Sequence, residues 1–71
     1  MEGTNTPSFN KDEIELIKLI CEDYTIIEIA YILQVNKWTI VEQCKQLIDK
    51  TNSINIVGIA KYAIRTGIYK L

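Results

Sequence analysis

The sequence predicts an all-α domain of four short helices, with a helix-turn-helix motif and without a winged element. Apolar residues recur at helical spacing in four segments, and a capping residue stands before each of them. Ala30 and Ile40 lie ten residues apart, on either side of a short polar break. At this spacing the small residue lets two helices cross closely, and the apolar residue fills the crossing. The second helix of this pair, the third of the domain, is therefore the predicted recognition helix.

The first two helices are each predicted from a reciprocal capping pair. Asn10 with Glu13 begins the first helix. Thr25 with Glu28 begins the second helix, which is expected to end near Leu33. The apolar face of the first helix comprises Ile14, Leu16, Ile17, Leu19, Ile20 and Cys21.

The third and fourth helices are each predicted to begin at an asparagine cap. Asn36 caps the third helix, and Asn52 can take the left-handed conformation that ends it. Asn55 caps a fourth helix that extends through Arg65, and Gly67 closes it. The apolar stripe of the third helix comprises Ile40, Cys44, Leu47 and Ile48.

The fourth helix is apolar nearly all round, which leaves two interpretations open. Ile56, Ile59 and Ala63 can face the core, with the remaining apolar side chains partly outside. Plain packing against the first helix explains this pattern, and so does a contact between two copies of the chain. In the second interpretation the dimer interface comprises Val57, Ala60, Lys61 and Ile64.

Length and composition predict one small globular domain. The chain has 71 residues, of which 48% are apolar and 24% charged. Residues 1–9 are mainly small and polar, which indicates a flexible N-terminal arm or the remnant of a linker, so that the domain spans residues 10–71. This arm lacks the basic and apolar regions of a signal peptide, and no apolar run is long enough for a membrane span. We therefore expect a cytoplasmic protein without a membrane partner.

The charge is polarised along the chain. Residues 1–35 carry two lysines and seven acids, a net of −5, whereas residues 36–71 carry six basic residues and two acids, a net of +4. A face of the second half can therefore meet phosphate although the whole chain has a net charge of −1. Chance scatter in a small protein is the alternative explanation.

Neither metal binding nor catalysis is expected from the residue types present. Cys21 and Cys44 have no histidine to join them, and a zinc site needs about four ligands. Both cysteines lie on apolar helix faces and are expected to be buried, reduced thiols. The acids Asp12, Glu13 and Glu15 stand where helix-start charges are favourable, and there is no glycine-rich phosphate loop. We therefore expect a protein that is not an enzyme and binds no cofactor.

Three segments of the chain match the pattern of a known family. They read FNKDEIELIKLICEDYT, IIEIAYILQVNKWTIVEQCKQLI and NIVGIAKYAIRTGI. The matching positions are Glu13, Glu15, Thr25, Glu28, Ile29, Ala30, Leu33, Thr39, Ile40, Asn55, Ile59, Tyr62, Ala63, Ile64 and Gly67. Together the segments resemble the LuxR-type (NarL/FixJ-type) helix-turn-helix domain of bacterial transcription regulators, over residues 9–69 without a gap.

The resemblance implies a four-helix domain whose third helix lies in the major groove of double-stranded DNA. It also implies a homodimer formed by the fourth helix on a two-fold operator. Most members carry an upstream receiver or ligand-sensing domain, so this chain is expected to be a stand-alone regulator or the output domain of a longer one. RNA polymerase and an upstream sensing domain are the further partners that the resemblance implies.

Several residues depart from the pattern of this family. The departures at positions that are usually polar or basic are Asp12, Ile26, Ile27, Trp38, Gln43 and Asp49. They weaken the electrostatic case for DNA without altering the fold. Thr51 and Ser53 replace two apolar residues that usually seal the turn before the last helix, and Ile54 and Ile56 are expected to cover for them.

On a DNA duplex the third helix is expected to present Val41, Glu42 and Lys45 toward base edges. Lysine can donate to guanine, glutamate can accept from the cytosine amino group, and valine can pack on a thymine methyl. The predicted contacts to the phosphate backbone are Thr25, Asn36, Lys37, Trp38, Thr39, Gln46 and Lys50. So few cations predict weak binding that depends on a dimer. The alternative explanation for Val41, Glu42 and Lys45 is that they form an ordinary solvated helix face without a partner.

Trp38 and the apolar residues of the second helix support a second hypothesis. The Trp38 indole can contact a thymine methyl or a sugar, or it can lie half-buried between the second and third helices. We favour partial burial, because the indole is large and is usually covered. An exposed apolar patch from Ile26 to Trp38 would instead mark a protein partner. The domain would then be a degenerate helix-turn-helix that serves as a protein-interaction module. A basic stripe along the third helix would favour DNA.

Overall fold

The computed structural model describes residues 8–71, and these residues form four helices and no strand. The helices are α1 (Lys11–Cys21), α2 (Ile26–Leu33), α3 (Lys37–Lys50) and α4 (Ile56–Thr66). The predicted all-α fold is confirmed. The flexibility predicted for residues 1–7 concerns a segment outside the described residues. Over residues 8–71, no helix has the combination of length and apolar character that crossing a bilayer requires.

The predicted caps begin the four helices. In α1 the Glu13 N–H donates to Asn10 Oδ1 at 2.8 Å, and the Asn10 N–H donates to Glu13 Oε1 at 2.9 Å. Thr25 and Glu28 form the same reciprocal pair at the start of α2. Asn36 accepts from the second N–H of α3, and the cap of α4 has the same residue type. Each cap satisfies an N–H that has no partner inside its helix.

All four helices are followed by a residue in the left-handed backbone conformation. The φ angles are 69° at Asp23, 59° at Gln34, 55° at Asn52 and 85° at Gly67. The predictions for Asn52 and Gly67 are confirmed. Gln34 is unexpected, because a glutamine lacks the short side chain that makes asparagine and aspartate tolerant of this region.

The core lies where the amphipathic faces of the helices meet. α2 packs on α3, and α4 packs on both α1 and α3. Ala30 is 7% exposed and Ile40 is fully buried, as the crossing of α2 and α3 requires. The other buried apolar residues are Leu16, Ile17, Ile29, Cys44, Leu47, Ile59 and Ala63. Cys21, expected to be buried, is half-buried at the edge of this core.

The turn between α3 and α4 is sealed differently from the expectation. Ile54 is 95% exposed and covers nothing, so that part of the prediction is wrong, whereas Ile56 does pack against the core. Thr51 is itself buried, and its hydroxyl donates to the Leu47 carbonyl oxygen at 2.7 Å. A threonine can fill an apolar position here because its polar atom is satisfied by the preceding turn of α3.

Phe9, which the sequence assigned to the arm, packs against the core. Its ring meets the ring of Tyr62 edge-on, with 6.0 Å between the ring centres. The Lys50 ammonium lies 5.0 Å from the centre of the Phe9 ring. The packed domain therefore includes Phe9 and begins before the predicted boundary at residue 10.

Candidate nucleic-acid interface

A short turn holds α3 at a fixed angle to α2. The Gln34 N–H donates to the Tyr31 carbonyl at 3.2 Å, and the Val35 N–H donates to the Ala30 carbonyl at 3.0 Å. These two hydrogen bonds are those of a Schellman motif, which ends α2 and redirects the chain. Asn36 then begins α3 at once. The turn and the buried Ile40 side chain together fix which face of α3 points to solvent.

The three residues predicted to contact bases lie on α3 with different exposures. Glu42 and Lys45 are exposed, and Val41 is half-buried. Val41 and Lys45 are four residues apart and therefore lie on the same side of the helix, one turn from each other. The structure thus brings the three side chains to one surface, although Val41 offers only part of its side chain to a partner.

The charges on the exposed face of α3 alternate in sign. Lys37, Glu42, Lys45 and Asp49 are all exposed and follow one another along the helix. A basic stripe, which the sequence analysis named as the observation favouring DNA, is not formed by the described residues of α3. The face therefore offers isolated cations for phosphate rather than a continuous positive surface.

Trp38 is 66% exposed, so the expectation of partial burial is wrong. Ile40 occupies the core position in this turn of α3, and a residue two places earlier points to nearly the opposite side of a helix. The Lys37 ammonium lies 5.1 Å from the centre of the indole ring, within the range of a cation–π contact. Lys37, Trp38 and Thr39 thus form an exposed cluster at the start of α3.

Thr25 and Lys50, two of the predicted phosphate contacts, are already engaged within the chain. The Thr25 N–H donates to Glu28 Oε1 at 2.8 Å, and its hydroxyl oxygen accepts from the Glu28 N–H at 3.1 Å. The Lys50 ammonium donates to both carboxylate oxygens of Glu13, at 2.9 and 3.0 Å. The carboxylate of Glu28 also places negative charge where phosphate was expected at the start of α2.

Glu13 is held in its ionised form by these contacts. Burial raises the pKa of Glu13, but the hydrogen bonds from Lys50 and from the Asn10 backbone outweigh it, so the net pKa lies below that of an ordinary glutamate. The positive charge of Lys50 is thus balanced inside the molecule. This pairing joins the start of α1 to the end of α3, two elements that the sequence alone did not connect.

An apolar groove runs along the exposed side of α2, and we call it the α2 groove. Its lining residues are Tyr24, Ile27, Glu28, Tyr31 and Ile32. Ile27 is 68% exposed and Tyr31 85% exposed. The groove contains the middle of the predicted patch, but neither of its ends: Ile26 packs against the core, and Trp38 does not line the groove. Tyr24 was not predicted for this surface, and helical spacing could not have indicated it, because Tyr24 lies before the Thr25 cap of α2.

A second groove, the α4 groove, lies between the α3–α4 turn and α4. It is lined by residues 51–55 and by Val57, Gly58, Lys61 and Arg65. Of the residues predicted for a dimer interface, Val57, Lys61 and Ile64 are exposed, and Ala60 is half-buried. The part that Ile54 plays in this surface was not predicted, because Ile54 was expected to seal the turn before the last helix.

The two cysteine thiols are less acidic than an ordinary cysteine, and the part of the chain that the structure describes has no cluster of possible metal ligands. Burial raises the pKa of the Cys44 thiol, and burial together with the nearby Glu22 raises that of Cys21. Both thiols therefore stay protonated near neutral pH, which makes them weak nucleophiles. Over residues 8–71, no three ligand-type side chains gather in a position to hold a metal ion.

Comparison of the chain with protein-family models, with curated proteins and with solved structures finds no match.

Proposed function

We propose that this chain is a sequence-specific DNA-binding transcription regulator, or the output domain of one, that places α3 in the major groove. The observation that carries the proposal is the α2–α3 unit, in which a Schellman turn and the buried Ile40 hold α3 with Lys45 exposed. The resemblance of the sequence to the LuxR-type domain supports the same function. The cytoplasm of a bacterium is the proposed location.

Base recognition is proposed for Val41, Glu42 and Lys45. Lys45 donates to guanine O6 and N7, Glu42 accepts from the cytosine amino group, and the exposed part of Val41 packs on a thymine methyl. Asn36, Lys37, Trp38, Thr39 and Gln46 meet the sugar-phosphate backbone and set the register. Lys50 and Thr25 contribute less than their residue types indicate, because their polar groups are engaged with Glu13 and Glu28.

Two copies bind neighbouring half-sites in this proposal. One copy offers few cations to phosphate, so a single half-site gives weak binding. The exposed side of α4, with Val57, Ala60, Lys61 and Ile64, provides the surface for contact between copies. RNA polymerase and an upstream sensing domain remain proposed partners on the strength of the resemblance.

Selection from a pool of random duplexes, followed by titration of the enriched site, tests the proposal. Lys45→Ala is expected to weaken binding by about 1–3 kcal/mol and to relax the preference at one base pair. Lys70→Ala is the matched control, because Lys70 is exposed but lies outside α3. Equal effects of the two substitutions, or a pool without enrichment, would contradict groove recognition by α3.

A second candidate function is a protein-interaction module, and the exposed α2 groove is the observation that favours it. A groove with Ile27 and Tyr31 largely open to solvent is unusual for a free-standing domain. If this function replaces DNA binding, duplexes fail to bind even at low salt, where electrostatic contacts are strongest.

A further inference from the structure

We propose that the domain associates head to tail, with the α2 groove of one copy seated on the α4 groove of the next. The proposal rests on the part of the proposed function that sets two copies side by side, and it pairs α4 of one copy with α2 of the next instead of with a second α4. The partner of each groove is therefore a second copy of this chain.

The α2 groove is too apolar to be an ordinary solvated helix face. Seven of the eight residues in α2, with the sequence IIEIAYIL, are apolar, a composition typical of a helix that is covered on all sides. In this structure Tyr24, Ile27, Tyr31 and Ile32 are each more than 40% exposed. Among the described residues that line the groove, Glu28 is the only charged one, so the surface is apolar and acidic.

The α4 groove has the complementary composition. Ile54 is 95% exposed and Val57 is 60% exposed, which gives this groove apolar anchors of its own. Within the described part of the chain, its charged lining residues are Lys61 and Arg65, both cations. α4 contains no acid, so this surface is apolar and basic.

Pairing the two grooves joins opposite charges around a shared apolar contact. A two-fold pairing of α4 with α4 would instead set Lys61 and Arg65 near their own copies, and like charges at that distance repel. The two grooves have no lining residue in common, so one copy can use both at once. A contact of this heterologous kind does not close on itself and extends from copy to copy.

The contact is expected to be weak. Five residues line one groove and nine line the other, fewer than the roughly 20–30 residues on each side of a stable interface. Association therefore appears at high protein concentration. It also appears when neighbouring DNA sites raise the effective concentration of one copy near the other.

Mixing two variants in the absence of DNA tests the proposal. Ile27→Asp disables the α2 groove, and Val57→Asp disables the α4 groove, while each variant keeps the other groove intact. Both side chains are largely exposed, so the helical circular dichroism is expected to stay at the wild-type value. Each variant alone is expected to sediment as a monomer of 8.2 kDa. Their equimolar mixture is expected to form dimers and nothing larger, whereas the wild type continues to larger species.

Three outcomes would overturn the proposal. The first is a mixture that stays monomeric, and the second is an Ile27→Asp variant that associates as the wild type does. The third is a wild type that remains monomeric up to about 1 mM protein. The effect of salt on association is a further test. Raising KCl from about 50 to about 500 mM is expected to weaken the α2–α4 contact, which joins opposite charges, whereas it would strengthen an α4–α4 contact between like charges.

Failure of this proposal and failure of DNA binding give different results. Lys45→Ala is expected to leave the association unchanged, because Lys45 lines neither groove. Normal DNA binding by a protein that stays monomeric in solution and on the duplex would overturn the head-to-tail contact and the pairing of copies, but not groove recognition by α3. Normal association by a protein that binds no duplex would overturn the DNA proposal alone.

Discussion

At the scale of single residues, the Glu13 carboxylate has two tasks in this fold. It accepts the Asn10 N–H at the start of α1 and also binds the Lys50 ammonium from the end of α3. The Lys50 ammonium in turn lies over the Phe9 ring. One carboxylate therefore connects the N-terminal cap, the last turn of α3 and the first packed aromatic side chain.

Glu13→Gln is expected to lower the free energy of unfolding by about 0.5–1 kcal/mol at pH 7, since the amide keeps the cap but loses the ion pair. The pKa of Glu13 is lower in the folded state than in the unfolded state, where it is about 4.3. The ionised carboxylate therefore stabilises the fold fully above the unfolded pKa, and this stabilisation is lost as pH falls through the folded pKa. Urea titrations at neutral and acid pH measure the difference.

Glu15→Gln is the control for this experiment, because Glu15 is an exposed glutamate of the same helix. It is expected to change stability little at either pH. A Glu13→Gln effect that persists below the folded-state pKa would show that the ion pair is not its source.

At the scale of elements, α4 can begin where it does because residue 58 is a glycine. A Cβ built on Gly58 would lie 2.6 Å from the Ser53 Cβ, closer than two carbon atoms can approach. The turn that carries Thr51 and Ser53 thus passes directly against the first turn of α4. The Asn55 cap on the Gly58 N–H fixes the same contact from the other side.

Gly58→Ala is expected to destabilise the domain by about 1–3 kcal/mol because of this overlap. This range is the net effect, after subtraction of the roughly 1 kcal/mol that alanine gains over glycine in helix propensity. Thermal unfolding followed by circular dichroism measures the change. Ser53→Gly removes the opposing Cβ, so the double variant is expected to recover most of the loss. Additive effects of the two substitutions would argue against a steric contact between them.

At the scale of the whole molecule, the arrangement of α2 and α3 favours a DNA partner, whereas the distribution of charge weakens the attraction to phosphate. The acids are most numerous in α1, which carries three, and directly after it at Glu22 and Asp23, whereas α4 carries only cations and α3 carries both signs. In the proposed complex a duplex lies on α3, and the acids of the first half would repel phosphates that come near them. DNA binding is therefore expected to have a modest electrostatic component.

Measured on the enriched duplex, the logarithm of the binding constant is expected to fall with the logarithm of salt concentration with a slope of about −2 to −3 per copy. This corresponds to about three phosphates neutralised, by residues such as Lys37 and Lys45. Fluorescence-anisotropy titrations with labelled duplex between low and physiological salt give the slope. Nanomolar binding by a monomer that barely responds to salt would be inconsistent with this surface.

The sequence predicted the helices and their caps well, because these depend on residues close together in the chain. In the pairs Asn10–Glu13 and Thr25–Glu28 the two partners are three residues apart, so a short stretch of sequence shows both sides of the interaction. The exposure of Trp38 and Ile54 was predicted wrongly, because burial of a large apolar side chain depends on elements far along the chain. The Glu13–Lys50 pair spans 37 residues and has no local signal.

The candidate site was predicted less completely than the fold. The spacing of Ala30 and Ile40 predicted a contact between α2 and α3; the two helices do pack together, and both residues are buried. The polar break and the Asn36 cap located the turn, but its left-handed residue is Gln34, a residue type that does not favour this conformation, so the backbone geometry of the turn had no sequence signal. The α2 groove corresponds in part to the exposed patch that the sequence indicated, whereas the α4 groove depends on Ile54, which was expected to be covered.

The exposure of Trp38 gives the domain a built-in optical reporter. It is the chain's single tryptophan, and its indole lies open to water at the start of α3 with the Lys37 ammonium near its ring. Its emission therefore responds to a partner that covers the start of α3, whereas unfolding changes its surroundings little. Fluorescence of the unlabelled protein can follow occupancy of this surface while circular dichroism independently follows the fold.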